Sequence, residues 1–410
     1  MDVMPEKVKC MLFDSTDIAG QRIGGGETLL KGFIKYAPAH FAIQVVGVTA
    51  DLSQRPLRQW TSLTIGQKKV LFFPVLYEAD ENKKKKIPLS LQYVFQMLVT
   101  KWDVKETVLF FNRIEPTIVF QNRDRAKIVV IHNDLESQLF SRKKGEAYWN
   151  KIPFLYKLFE KHVFKNISHV YTVSEKTTAY YNRTYPSLTN HVSFLPTWVD
   201  TQIFSPSKIS KRNLRKKIRN TIRDIPYSMS WILFVGRLQK QKDPLTLLHT
   251  FARYLKSHPD IVLIMVGAGN LEKEVDREII CLGIQKNVYR LSYMDQYQLA
   301  WFYQAADALI VTSLYEGMPV SVLEALGCGL PVISTRVGEV PRVVLNGRSG
   351  EIVDNTSGCH ILEALRKVLT SSEQYSVSNC ISAIQDYTPQ KVLSSVYHKI
   401  ETMAQGKLTR

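Results

Sequence analysis

Cysteine is scarce in this 410-residue chain. Its five cysteines (Cys10, Cys281, Cys328, Cys359 and Cys380) are odd in number, scattered, and form no C-x-x-C pair. A disulfide framework or a cysteine-based zinc site is therefore not expected, and a reducing compartment is favoured. No run of about 18 uncharged apolar residues occurs, so no membrane span is expected. The opening Met1-Asp2-Val3-Met4-Pro5-Glu6-Lys7 lacks the basic-then-apolar signature of a signal peptide. The expected location is cytoplasmic. Helix-turn-helix, RNP and zinc-finger patterns are also missing, which argues against a nucleic-acid partner.

What is present describes a soluble globular protein. Hydrophobic residues make up 45% and charged residues 22%. The length exceeds one ordinary core and suits two α/β domains. The formal net charge is +17. Residues 1–200 carry about +9, residues 201–250 about +9, and the remainder about −1. A field concentrated in this way favours an anionic membrane surface or phosphorylated substrates.

Short apolar runs alternate with helical patterns. They are Val8–Phe13, Ile43–Val48, Val108–Phe111, Ile118–Phe120, Ile128–Ile131 and Val170–Val173, then Trp231–Val235, Ile261–Val266, Ala308–Val311 and Pro331–Ser334. Such alternation predicts parallel sheets with crossover helices. A boundary is expected near Pro196–Asp200. The basic stretch Lys208 to Arg223 has Ile209, Leu214, Ile218 and Ile222 at helical spacing and reads as an amphipathic surface helix, its outer face solvated. The tail from Gln390 to Met403 also reads as helix, with Val392, Val396, Ile400 and Met403 in one stripe.

Several strand ends carry residues suited to chemistry. Glu316 lies just beyond Ala308–Val311, and Glu324 lies inside the helix expected to follow, with Pro319 in its first turn. The free N–H groups at such a helix start, from Met318 to Ser321, are a natural seat for a diphosphate. Two carboxylates flanking that seat are placed to grip sugar hydroxyls. Beyond Trp231–Val235 come Gly236, Arg237 and Lys242. Two cations five residues apart, leaving one strand end, can converge on a phosphate group, or they are ordinary surface charges. Gly267 and Gly269 follow Ile261–Val266, where a tight turn explains them as well as a nucleotide does. In the first half, Gly24, Gly25 and Gly26 with Glu27 open a helix at Thr28–Tyr36, as a flexible turn or as a close approach to a ligand. His132 stands at the end of Ile128–Ile131, where a structural role is equally open.

Taken together, the pattern resembles the family 4 retaining glycosyltransferases of the GT-B fold. The resemblance runs through Gly24–Glu27, His132, Val173-Ser174-Glu175, Pro196 to Phe204, Gly236 to Asp243, Gly267 to Gly269, and the E-x7-E element Glu316 to Glu324. It ends with Val337 to Pro341 and Asn346 to Gly350. It implies two Rossmann-like domains facing each other across a cleft. Residues 1–200 would form the acceptor-side domain and 201–385 the nucleotide-sugar domain, with 386–410 a helix packing back on the first. It further implies that Arg237 and Lys242 neutralise the donor diphosphate and that Glu324 accepts hydrogen bonds from the ribose. Glu316, with backbone N–H groups of Gly317, Met318 and Val320 beside Pro319, would hold the transferred sugar and phosphate. His132 would contact that sugar, and Gly25 and Gly26 would approach the phosphates. Two positions depart from the pattern: Thr197-Trp198 stands where Asn-Gly is common, and Arg342 where Glu is common after Pro341.

The implied reaction moves a hexose from a uridine- or guanosine-diphosphate donor to an acceptor hydroxyl with retention. The fixed cations stabilise the leaving group without a metal, and a D-x-D metal motif has no counterpart here. No cofactor beyond the donor substrate is expected. The acceptor would be a glycan, a lipid-linked sugar or a polysaccharide precursor. Two basic, apolar-rich stretches of the first half fit an inner membrane face. One runs from Lys83-Lys84-Lys85-Lys86 to Trp102; the other runs from Arg142 through Phe154 and Phe159 to Lys165. Alternatives are a synthase with a soluble sugar acceptor, or a non-catalytic nucleotide-sugar-binding scaffold. The second of these is disfavoured because Arg237, Lys242, Glu316 and Glu324 are all present.

Overall fold

The computed structural model describes residues 7–20, 25–79, 87–105, 107–121, 124–132, 153–221, 224–354, 358–371 and 373–406. Lys83 to Lys86, Gly24 and the stretch from Arg142 to Ile152 lie outside them. The chain divides into two units, Met1–Pro196 with Pro389–Arg410, and Thr197–Thr388.

The first unit is built on eight strands: β1 (Val8–Phe13), β2 (Phe41–Thr49), β3 (Thr61–Ile65), β4 (Lys68–Tyr77), β5 (Thr107–Phe111), β6 (Lys127–Ile131), β7 (His169–Thr172) and β8 (Val192–Phe194). Their order is β3-β4-β2-β1-β5-β6-β7-β8. The β3–β4 hairpin is antiparallel and the remaining pairings are parallel. Every residue of β5 and β6 is buried. A sheet covered on both faces favours apolar runs such as Val108–Phe111 and Ile128–Ile131, which is why these strands were visible in the sequence. Helices α1 (Gly25–Tyr36), α2 (Leu89–Leu98), α3 (Pro153–Phe164) and α4 (Glu175–Thr184) supply the cover. Tyr93 and Met97 of α2 and Tyr156, Val163 and Phe164 of α3 pack with Met11, Phe13, Leu109 and Phe111 in one core. The expected strand Ile118–Phe120 is instead part of a 3-10 helix, Glu115–Phe120, opened by Pro116. Three apolar residues do not distinguish a strand from a helical turn.

The second unit has six strands: β9 (Ser230–Val235), β10 (Ile261–Val266), β11 (Val288–Leu291), β12 (Ala308–Val311), β13 (Val332–Thr335) and β14 (Gly350–Val353). All pair in parallel, in the order β11-β10-β9-β12-β13-β14. Its helices are α5 (Lys211–Thr221), α6 (Pro244–Leu255), α7 (Glu272–Cys281), α8 (Gln296–Ala305), α9 (Val320–Gly327), α10 (Gly358–Thr370) and α11 (Val377–Ser382). In the basic helix α5, Leu214 and Ile218 are buried as their spacing predicts, whereas Ile209 precedes the helix and is exposed. The last helix, α12 (Pro389–Ala404), returns to the first unit, where Tyr397 donates its hydroxyl proton to the Phe33 carbonyl at 2.6 Å. Val392, Val396, Ile400 and Met403 form its buried stripe.

Helix α8 starts where it does because Asp295 caps it, its carboxylate accepting from the Gln298 N–H at 2.9 Å. The cap satisfies one of the orphan donors of the first turn. Replacing Asp295 by Ala is expected to cost about 1 kcal/mol. The check is the thermal midpoint of the Asp295→Ala variant beside that of Asp295→Asn, which keeps the acceptor and should stay near the parent.

Candidate active site

In the second unit the strand order reverses between β9 and β12, so their carboxyl ends open a crevice, the usual ligand position in open α/β sheets. Gly236 and Arg237 leave β9 there, and Thr312 to Glu316 leave β12. Backbone and side-chain bonds tie the two exits together. The Leu314 N–H donates to the Gln241 carbonyl at 2.8 Å, and Gln241 Nε2 donates to the Tyr315 carbonyl at 3.0 Å. Thr312 Oγ1 donates to the carbonyls of Lys242 and Asp243 at 2.9 and 3.0 Å. The tie brings Lys242 Nζ to 2.5 Å from Glu316 Oε1, with side chains only 16% and 11% exposed. Glu316 Oε1 is buried and has no other hydrogen-bond partner among the described residues. Arg237 is exposed, and its side chain makes no ion pair among those residues.

Glu324 sits in α9 and is buried. Tyr303 of α8 donates its hydroxyl proton to Glu324 Oε2 at 2.7 Å. Burial pushes the Glu324 carboxyl up to about 7, with the Tyr303 hydrogen bond opposing the rise. Pro319 occupies the N-cap rather than the first turn, so Val320 is the first helical residue. Gly317 is held from behind: its carbonyl accepts from the Glu339 N–H at 2.8 Å. Gly338 permits this approach, at φ +47°, where an added Cβ would fall 1.8 Å from the Gly317 oxygen. Met318 is buried. Gly267 has a comparable packing reason. Its φ is +135°, and a Cβ would lie 2.2 Å from the Gly236 carbonyl oxygen. Close passage of the two loops accounts for this glycine without a ligand.

The first unit gathers a second group at its own reversal point, between β1 and β5. Asp14, Asn112 and His132 are the first residues beyond the adjacent strands β1, β5 and β6. Asn112 Nδ2 donates to Asp14 Oδ2, and Asn112 Oδ1 lies 2.5 Å from His132 Nε2. Burial pushes the His132 imidazole down to about 4, and the neighbouring Arg113 charge adds to that. Gly25 and Gly26 are the first two residues of α1.

Three of these residues escaped the sequence reading. Asp14 and Asn112 were legible only as polar residues following apolar runs. Tyr303 was hidden in a helix whose other buried residues are apolar. A fourth group, the Ser313 hydroxyl beyond β12, is buried with no hydrogen-bond partner among the described residues.

Residues 223–381 match the family model of glycosyl transferases group 1. The chain is 28% identical to an uncharacterized glycosyltransferase of Methanocaldococcus jannaschii over 304 residues, 70% of this chain and 68% of that one. It is 34% identical to a D-inositol 3-phosphate glycosyltransferase of Corynebacterium jeikeium over 197 residues, so the match spans about half of either chain, 46% of each. These matches support a glycosyltransferase. Among solved structures, sucrose-phosphate synthase from Thermosynechococcus elongatus aligns with a TM-score of 0.76 at 16% identity, covering 98% of this chain and 99% of that one. Anabaena HepE in complex with UDP-glucose aligns at 0.71 and 15%, covering 96% and 99%. At such identities the likeness establishes the fold, and that fold is GT-B.

The raised pKa of Glu324 has a consequence for stability. Below about pH 4.5 the carboxyl is neutral in both the folded and the unfolded chain. Between there and about 7 the folded form keeps a proton that the unfolded form releases, so stability falls as pH rises. Above that range both forms are ionised and the full penalty applies. The thermal midpoint of Glu324→Gln relative to the parent is therefore expected to climb across that interval and level off above it. An offset independent of pH would contradict a buried acid.

Proposed function

We infer that this chain is a retaining glycosyltransferase that moves a hexose from a nucleoside-diphosphate sugar to an acceptor hydroxyl. One observation carries the reading: the Lys242–Glu316 pair, at the strand-order reversal and next to the start of α9. Negative charge grows on the diphosphate as its bond to the sugar breaks. A preset ammonium, the Arg237 guanidinium carried by the same β9 exit and the N–H groups of Gly317, Met318 and Val320 are the donors that such charge needs. Glu316 holds Lys242 in place before the donor arrives, and it then turns its acceptor oxygens to the sugar hydroxyls. Glu324, with Oε2 taken by Tyr303, receives the ribose hydroxyls at Oε1. His132 meets the transferred sugar, and Gly25 and Gly26 meet the phosphates. No carboxylate is singled out as a covalent nucleophile, so retention is assigned to attack on the face that the phosphate leaves.

The acceptor is assigned to a glycan or lipid-linked sugar at an anionic membrane surface. No described helix is long and apolar enough to cross a membrane. Helices α2 and α3 and the 3-10 helix between them pack their inner residues on one core. They leave Phe95, Leu98 and Val99 of the α2 end, Ile118, and Phe154 and Leu158 of α3 exposed. Phe95 is 62% and Phe154 71% exposed. Lys157 lies between Phe154 and Leu158, and Lys161 and Lys165 follow. Apolar side chains beside lysines are the makings of an interfacial surface.

Two experiments test these assignments. In a thermal-shift panel of nucleoside-diphosphate sugars beginning with UDP-glucose, the true donor raises the parent midpoint. Lys242→Ala should lose most of that shift, and response of neither parent nor variant to any donor would refute the reading. In vesicle flotation, the parent should rise with phosphatidylglycerol vesicles and not with phosphatidylcholine. The double variant Phe95→Ser, Phe154→Ser should stay below. Absence of the parent from both floating fractions would leave a soluble acceptor.

A further inference from the structure

Asparagine and histidine each offer two hydrogen-bonding arrangements, and a neighbour that only accepts removes the choice. Asp14 is such a neighbour. Its carboxylate Oδ2 faces the Asn112 amide, so the NH2 group must point to it and the carbonyl Oδ1 must point away. Oδ1 lies 2.5 Å from His132 Nε2. An amide oxygen cannot donate, so the proton of that contact belongs to Nε2.

We propose that Asp14 and Asn112 are positioning residues that fix His132 as its Nε2–H tautomer, so that Nδ1 is the acceptor the ring offers to a ligand hydroxyl. Burial and the neighbouring Arg113 disfavour a second proton on the ring, which keeps that acceptor available near neutral pH. The backbone fixes two of the three members. The Asp14 N–H donates to the Val46 carbonyl at 3.1 Å, and the Asn112 N–H donates to the Phe13 carbonyl at 3.0 Å. The arrangement selects for a partner that gives a hydrogen bond, a sugar hydroxyl, over one that only accepts, a phosphate oxygen. This last step rests on the sugar-transfer reading; the tautomer itself does not.

The test is long-range proton–nitrogen correlation NMR on ligand-free protein labelled with 15N-histidine, the His132 signals being assigned by their loss in His132→Asn. The parent should show a protonated Nε2 and a bare Nδ1 at neutral pH. Asn112→Ala should shift the tautomer ratio by about tenfold, the worth of one hydrogen bond. A protonated Nδ1 in the parent overturns the proposal without reference to any variant, as does an unchanged ratio in a folded Asn112→Ala. Adding UDP-glucose should then move the Nδ1 signal; movement of Nε2 alone would overturn the assigned acceptor role. Since the tautomer is read without ligand, its failure is distinct from failure of the donor panel.

Discussion

A half-buried ammonium beside a buried carboxylate is the constraint around which the second unit is arranged. Lys242 and Glu316 are 74 positions apart in sequence and meet only because their loops are stitched together by Leu314, Gln241 and Thr312. Pulling charges out of water is costly, and an incomplete pair is worse than none. Such a pair is a weak device for stability. What the pair achieves is to hold Lys242 at one place and largely out of water. The glycine requirement at Gly338 and the contact of Gly267 with Gly236 follow from the same crowding of loops.

Both units solve the placement problem in the same way. Parallel strands leave their carboxyl ends on one edge, and the reversal of strand order parts two neighbouring loops there. In the second unit that edge collects Lys242, Glu316 and the start of α9; in the first it collects Asp14, Asn112 and His132. The two groups differ in electrostatic character. One is an ion pair suited to a developing negative charge. The other contains a histidine held away from its charged form, suited to hydroxyl recognition.

Membrane contact and sugar transfer draw on different parts of the fold. The exposed apolar residues of α2 and α3 belong to the first unit, whereas the cation–carboxylate pair belongs to the second. The two readings are therefore independent, and loss of one leaves the other in force.

What the sequence by itself determined was local. Apolar runs announced β1, β5, β6, β9, β10 and β12 because a strand covered on both faces is mostly apolar. The stripe at Val392, Val396, Ile400 and Met403 announced α12 because helical period sorts one face from another. Glu316 and Glu324 were legible because they share one strand-loop-helix segment. Tertiary structure alone decided the rest. It made Ile118–Phe120 a turn, since three residues carry no period. It set Pro319 one place earlier, joined Lys242 to Glu316, put Tyr303 on Glu324 and aligned Asp14, Asn112 and His132. Each of those pairings depends on which strands lie side by side, and strand order is fixed by packing of the whole sheet, not by the residues adjoining any one strand.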